Sequence, residues 1–89
     1  MENKLKQDVP IGHNLKKFRQ KAGLSQESVA AKLQTMGLDI HQKIISEMEL
    51  GTYSIRISVL LALAELYDTP IQDFFADLDR YKETVPPGR

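Results

Sequence analysis

Apolar residues recur along the chain at helical spacing in five separate stretches. Ile11, Leu15, Phe18 and Ala22 mark one face of a first helix, with Pro10 in its opening turn and Gly23 just past its end. Ser25 offers an N-cap hydroxyl to a second helix, whose buried face is Val29, Ala30, Leu33 and Met36 and whose end is Gly37. After a turn over Gly37 to Asp39, Ile40, Ile45 and Met48 alternate with Gln42, Lys43, Ser46 and Glu47 until Gly51 stops the pattern. This predicts a short third helix with one polar face.

Thr52 to Ile57 reads as a connecting loop. Ser58 is placed to cap a fourth helix with Leu60, Leu63, Ala64 and Tyr67 facing inward and Val59, Leu61 and Leu66 widening the stripe. Thr69 and Pro70 form a capped start for a fifth, with Ile71, Phe74, Phe75 and Leu78 as its apolar face. No stretch shows the alternation and turn signals of a hairpin. The fold class expected is therefore all-α, a compact bundle of five short helices. Residues 1–10 are expected to be a mobile N-terminal arm, 11–79 the folded domain, and 80–89, with Pro86, Pro87 and Gly88, a mobile tail.

At 89 residues, 42% of them hydrophobic and 27% charged, the chain suits one globular domain and does not resemble a disordered tail. It has no cysteine, which excludes disulfides and thiolate metal sites and fits a reducing cytoplasm. No apolar run approaches the roughly 20 residues of a membrane span. The only histidines are His13 and His41, and neither a glycine-rich phosphate loop nor a metal-ligand pair appears. An enzyme is not expected, nor a cofactor or a metal.

Charge changes the picture through its distribution. Lys and Arg balance Asp and Glu at 12 each, so the net charge is zero and the basic excess common in nucleic-acid binders is missing. Yet Lys16, Lys17, Arg19 and Lys21 form an acid-free run, while Asp73, Asp77 and Asp79 follow Asp68. A helix, a short turn and a second helix with a polar face fit the major groove of DNA.

The residues themselves resemble the Cro-like and lambda-repressor-like helix-turn-helix family, also called the xenobiotic-response-element (XRE) family. The likeness runs from Ile11 to Leu78 and rests on Leu15-Lys16-Lys17-Phe18-Arg19, Ala22-Gly23-Leu24-Ser25-Gln26-Glu27, Val29-Ala30-Ala31-Lys32-Leu33, Ile44-Ile45-Ser46-Glu47-Met48-Glu49-Leu50-Gly51, Leu63-Ala64-Glu65-Leu66-Tyr67 and Pro70-Ile71-Gln72-Asp73-Phe74-Phe75, in that order. The resemblance implies a transcriptional regulator that binds a double-stranded DNA operator, most simply as a repressor and as a homodimer on DNA.

By the same resemblance, Gln42, Lys43 and Glu47 are the base readers. Their chemistry suits that task, since glutamine pairs with adenine, lysine donates to guanine and glutamate accepts from cytosine. Ser25 and Gln26 are implied phosphate contacts at the start of helix two, where free amides and the positive dipole end meet an anion. Lys16, Lys17, His41, Tyr53 and Arg56 are further phosphate candidates. Arg19 and Glu49 are an implied structural ion pair tying helix one to the end of helix three. Phe74, Phe75, Leu78 and Tyr81 are the candidate dimer contacts.

Three features depart from the family pattern. The segment from Gln34 to Ile44 is longer than its commonest turn, which requires a longer second helix or a wider turn. His41 replaces the usual small hydroxyl at the head of helix three, leaving Asp39 as the alternative cap. The loop after Gly51 offers only Thr52, Tyr53, Ser54 and Arg56 to phosphates, so weak nonspecific binding is expected. A competing reading keeps the fold and makes the chain a protein-interaction module, antitoxin-like or controlled by a regulatory protein partner; zero net charge and Glu47 favour it.

Overall fold

A computed structural model of the chain describes residues 4–5 and 11–76. Its elements in order are β1 (Lys4–Leu5), α1 (Gly12–Lys21), α2 (Gln26–Thr35), α3 (Gln42–Leu50), β2 (Ile55–Arg56), α4 (Ile57–Leu66) and a 3-10 helix (Ile71–Phe75). The described part is helical, with four α-helices rather than five.

The fifth segment is a 3-10 helix whose end is held from outside. Asp73 N–H bonds back to the Pro70 carbonyl at 2.9 Å, an i to i−3 closure. The Phe74 carbonyl, which an α-helix would offer to its own next turn, instead accepts from Asn14 Nδ2 on α1 at 3.0 Å. Pro70 is the cap residue, and the Thr69 hydroxyl turns back to the Tyr67 carbonyl rather than capping the helix. Leu78 lies outside the described residues.

All four α-helices close through one motif, in which the chain turns through a positive φ and two amides reach back to the last carbonyls. At α1, Gly23 N–H bonds to Gln20 O and Leu24 N–H to Arg19 O; at α2, Gly37 bonds to Gln34 O and Leu38 to Leu33 O. Asp68, at φ 49°, does for α4 what glycine does for the others, as a short polar side chain tolerates that region.

The core is one cluster drawn from every α-helix and from the turns. Leu15, Val29, Leu33, Ile45, Met48, Ile55, Val59, Leu60, Leu63 and Phe74 are fully buried, and Ile40 plugs the α2–α3 turn into the same cluster. Burying one such side chain contributes about 1.5 to 3 kcal/mol. Met36, expected on the buried face of α2, is exposed because the helix ends at Thr35 and its last turn points away. Ala22 is likewise exposed beyond the end of α1, and Leu61 on α4 is exposed while Ala62 takes the inner position.

The expected loop over Thr52 to Ile57 contains a strand. Ile55–Arg56 pairs antiparallel with Lys4–Leu5, in register Lys4 with Arg56 and Leu5 with Ile55, so part of the expected mobile arm belongs to a two-residue ladder. Ladders this short carry no period for a pattern to reveal. They also displace the start of α4: Arg56 is its cap residue and Ser58 sits inside its first turn without capping.

Candidate nucleic-acid interface

Helix α3 packs against both α1 and α2, which sets the direction of its polar face. Ile45 and Met48 point into the core, so helical spacing turns Gln42, Lys43, Ser46, Glu47 and Leu50 the other way. Gln42 and Lys43 are exposed in the first turn, and Glu47 is half-buried one turn after Lys43. Leu50 is 74% exposed on this face, and the sequence pattern assigns it no role.

The wider turn, not a longer α2, absorbs the extra residues between the two helices. Gln34 spans it, with Nε2 donating to the Ile40 carbonyl at 3.0 Å and lying 3.4 Å from His41 Nδ1. His41 is the N-cap of α3 but makes no side-chain cap bond, and Asp39 does not cap the helix either. Instead His41 Nε2 lies 3.2 Å from Asp39 Oδ1, with both side chains largely in solvent. Among the described residues, the head of α3 therefore keeps its first amides without a side-chain acceptor.

At the start of α2, Ser25 Oγ accepts from Ser28 N–H at 3.0 Å, which leaves the amides of Gln26 and Glu27 as the free N-terminal donors among the described residues. The exposed Glu27 carboxylate in the same turn offsets part of their positive field.

A buried polar network joins this helix end to α1 and α3. Arg19 Nε and Nη2 donate to Glu49 Oε2 and Oε1 at 2.6 and 3.1 Å, and Arg19 Nη1 donates to the Leu24 carbonyl at 2.8 Å. Gln26 Nε2 adds a third donor to Glu49, reaching Oε1 at 3.0 Å. The hydrogen bond to Glu49, opposed by burial and helped by that carboxylate's charge, holds the Arg19 guanidinium above its ordinary pKa. Burial raises the pKa of the neighbouring Tyr67 phenol, with the Glu49 charge adding to the rise and the Arg19 charge opposing it.

The family resemblance assigns Gln26 to phosphate alone and misses its bond to Glu49. Glutamine at a helix start signals neither partner by itself. Asn14 escapes the sequence pattern too: it is fully buried, and its Nδ2 donates to Phe74 O at 3.0 Å and Ala76 O at 2.8 Å. Only the anomaly of a polar residue on the apolar side of α1 could have flagged it.

The remaining candidates are scattered. Lys16 and Lys17 are exposed on α1, with Lys17 Nζ 5.0 Å from the centre of the Phe18 ring. Arg56 is exposed at the cap of α4, and Tyr53 is half-buried against the core. Of the four candidate dimer contacts, Phe74 is fully buried, its ring 6.0 Å from that of Phe18 and 6.2 Å from that of Tyr67, so it belongs to the core and not to a surface. Phe75 is 41% exposed, and Leu78 and Tyr81 lie outside the described residues.

No helix among the described residues is long and apolar enough to cross a membrane. No curated protein matches the sequence significantly. Residues 15–74 match the family model described as a helix-turn-helix, a span that runs from within α1 into the 3-10 helix. Two helices joined across a turn, with the second presenting a polar face, stand within that span, and the chain belongs to the Cro- and lambda-repressor-like (XRE) helix-turn-helix family of DNA-binding regulators.

Proposed function

We propose that the protein is a sequence-specific binder of double-stranded DNA that represses transcription in the cytoplasm by occupying an operator as a homodimer. The observation that carries this reading is the exposed first turn of α3, where Gln42 and Lys43 stand clear of the core on a helix anchored by the Arg19–Glu49–Gln26 network. Both side chains reach outward with groups that match base edges in the major groove. The free amides behind Ser25 supply a backbone contact that sets the register of α3 on the duplex. Lys16, Lys17, His41, Tyr53 and Arg56 complete the phosphate set in this reading, and Glu47 and Leu50 extend the reading face with an acceptor for cytosine and an apolar surface for a thymine methyl.

Selection of binding sites from random duplex, followed by titration of the winner at rising salt, tests the proposal. A single recovered motif is expected, with the logarithm of the binding constant falling linearly with the logarithm of salt concentration. Recovery of no motif, with binding indifferent to salt, would overturn it and favour a protein-interaction module. That second reading draws on zero net charge and on Glu27 and Glu47, two acids beside the candidate interface.

A further inference from the structure

The turn between α2 and α3 holds a histidine ring in a series of hydrogen bonds that admits only one of its protonation states. Gln34 Nε2, from the last turn of α2, donates to the Ile40 carbonyl at 3.0 Å. That bond fixes which end of the amide faces the turn, since the other end would set Oε1 against the carbonyl oxygen. The same nitrogen lies 3.4 Å from His41 Nδ1. An amide nitrogen donates and does not accept, so the ring must meet it with the lone pair of an unprotonated Nδ1. The proton of the neutral ring then sits on Nε2, where Asp39 Oδ1 stands 3.2 Å away to accept it. From Ile40 O to Asp39, every group has a matching partner.

A proton added from solvent at Nδ1 breaks this order. Two N–H groups would then face each other, and Gln34 cannot turn its oxygen toward the ring without abandoning the carbonyl of Ile40, a residue only 3% exposed. The imidazolium must swing away from α2. It has room to do so, because its side chain is 70% exposed and makes no cap bond to α3. Among the described residues Asp39 is its only ion-pair partner, α2 meets it with the uncharged Gln34, and the nearest further charges along the chain are Lys43 on α3 and Lys32 on α2. Both lysines oppose the cation, and only Asp39 draws it. An exposed pair of this kind holds weakly, and the phosphates of a duplex outcompete it.

We propose that Gln34 is a positioning residue that makes DNA binding proton-linked: it ties the neutral His41 ring back to α2, and protonation releases the ring, charged, to a backbone phosphate. This rests on the DNA reading above, which gives His41 its phosphate, and adds the condition under which that contact forms. Histidine is the side chain that changes charge between about pH 5 and 8, so the device works near neutrality. Since the duplex favours the charged ring, affinity rises as pH falls.

Fluorescence anisotropy of the full chain with its selected duplex, at about pH 8 and about pH 6 and constant salt, is expected to show affinity several-fold higher at the lower pH. His41→Gln should bind without that rise, and His13→Gln, which alters the other histidine, should keep it. Nitrogen-15 NMR of the free chain gives a readout that a merely structural role would not move. At about pH 8 the His41 ring should carry its proton on Nε2. In Gln34→Glu, whose carboxylate accepts from Nδ1–H, the ring should titrate at higher pH than in the natural chain. Gln34→Met, which cannot donate, should shift it the same way by less, and circular dichroism confirms that each variant is folded. Equal affinities at the two pH values, a rise that survives His41→Gln, or a ring that titrates alike with and without Gln34 overturns the proposal. A chain that selects a DNA motif and binds it equally at both pH values loses only this inference. One that selects no motif at either pH loses the DNA reading first, and this inference with it.

Discussion

Gln26 Nε2 and Arg19 Nη2 converge on the same oxygen of Glu49, at 3.0 and 3.1 Å, so the first residue of α2 and the end of α3 are held by one buried carboxylate. The Glu49 side chain is only 4% exposed, and a carboxylate that far from water needs its donors. Arg19→Ala removes two of the three and is expected to destabilise the fold by about 3 kcal/mol. Gln26→Ala removes one and should cost about 1 kcal/mol. Urea unfolding of Arg19→Ala, Glu49→Ala and the double variant checks the coupling. The double variant should lose clearly less than the two singles together, whereas strict additivity would show that Arg19 and Glu49 are not coupled.

Asn14 offers a test of a similar clamp by introducing a charge. Its amide nitrogen sits between the carbonyls of Phe74 and Ala76, while no hydrogen-bond partner for its buried Oδ1 is found among the described residues. Asn14→Asp places a carboxylate oxygen against those carbonyls at neutral pH and should destabilise by about 3 kcal/mol, more than Asn14→Ala. The same repulsion raises the new carboxyl's pKa. Its neutral form is then favoured in the folded state, so the deficit should shrink as pH falls and the group gains a donating O–H. Melting curves at neutral and acid pH check it; a deficit constant with pH would mean the side chain has turned away.

The limits of the sequence pattern follow from these two residues. Periodicity locates all four α-helices, because each buries a continuous stripe and ends where the chain turns through a positive φ. It cannot see Asn14, whose partners are main-chain carbonyls some sixty residues away that have no sequence signature. The same bond holds the end of the 3-10 helix Ile71–Phe75, although Ile71, Phe74 and Phe75 have α spacing. The ladder between Lys4–Leu5 and Ile55–Arg56 is set by tertiary placement, as two residues hold no alternation. At the interface, the residue types on α3 are legible. The ways in which His41 is engaged by Asp39 and Gln26 by Glu49 depend on how a longer turn and three helices meet in space.

Close approach of two helices makes Gly12 a further point of sensitivity. A methyl group there would lie 2.6 Å from the Glu49 carbonyl carbon and 2.7 Å from the Met48 oxygen, against backbone that cannot swing aside. Gly12→Ala should therefore push α1 off the end of α3 and cost about 2 to 3 kcal/mol, although alanine is the better helix former. Gly23→Ala meets no neighbour and carries only the strain of φ +75°, about 1 kcal/mol. Thermal melts should rank Gly12→Ala well below Gly23→Ala, and the opposite order would disprove the tight α1–α3 contact.

Tyr67 predicts the alkaline limb of stability. Its pKa is raised in the fold, chiefly by burial, so between the ordinary tyrosine value of about 10 and the folded value the unfolded chain releases a proton that the folded chain keeps. Tyr67 thus leaves stability unchanged below that ordinary value and draws it down as pH rises above it. Replacing it with phenylalanine keeps the edge-on contact with Phe74 and removes the titration. Urea midpoints measured from about pH 9 upward should fall more steeply for the natural chain than for Tyr67→Phe, and parallel curves would count against the buried phenol.

Reading bases and holding the duplex fall to different residues, and mutation should separate them. Lys43 stands exposed in the first turn of α3, in the position assigned to a base edge. Lys43→Ala should cost about 1 to 3 kcal/mol at the selected site and relax preference at one base pair, with a smaller effect on random duplex. Lys16 and Lys17 lie on α1 and would reach only phosphates, so alanine at either should weaken all sequences alike and reduce the salt slope by about one contact. Gln26 differs from both, because its amide already holds Glu49. Gln26→Ala should lower affinity for every sequence without releasing a counterion, leaving the salt slope unchanged, and should lower stability at the same time. Fluorescence anisotropy with selected and random duplexes at several salt concentrations resolves the three patterns. If Lys43→Ala leaves the selected motif and its margin over random duplex intact, α3 does not read bases through this turn. The wider α2–α3 connection would then have carried another face of the helix into the groove.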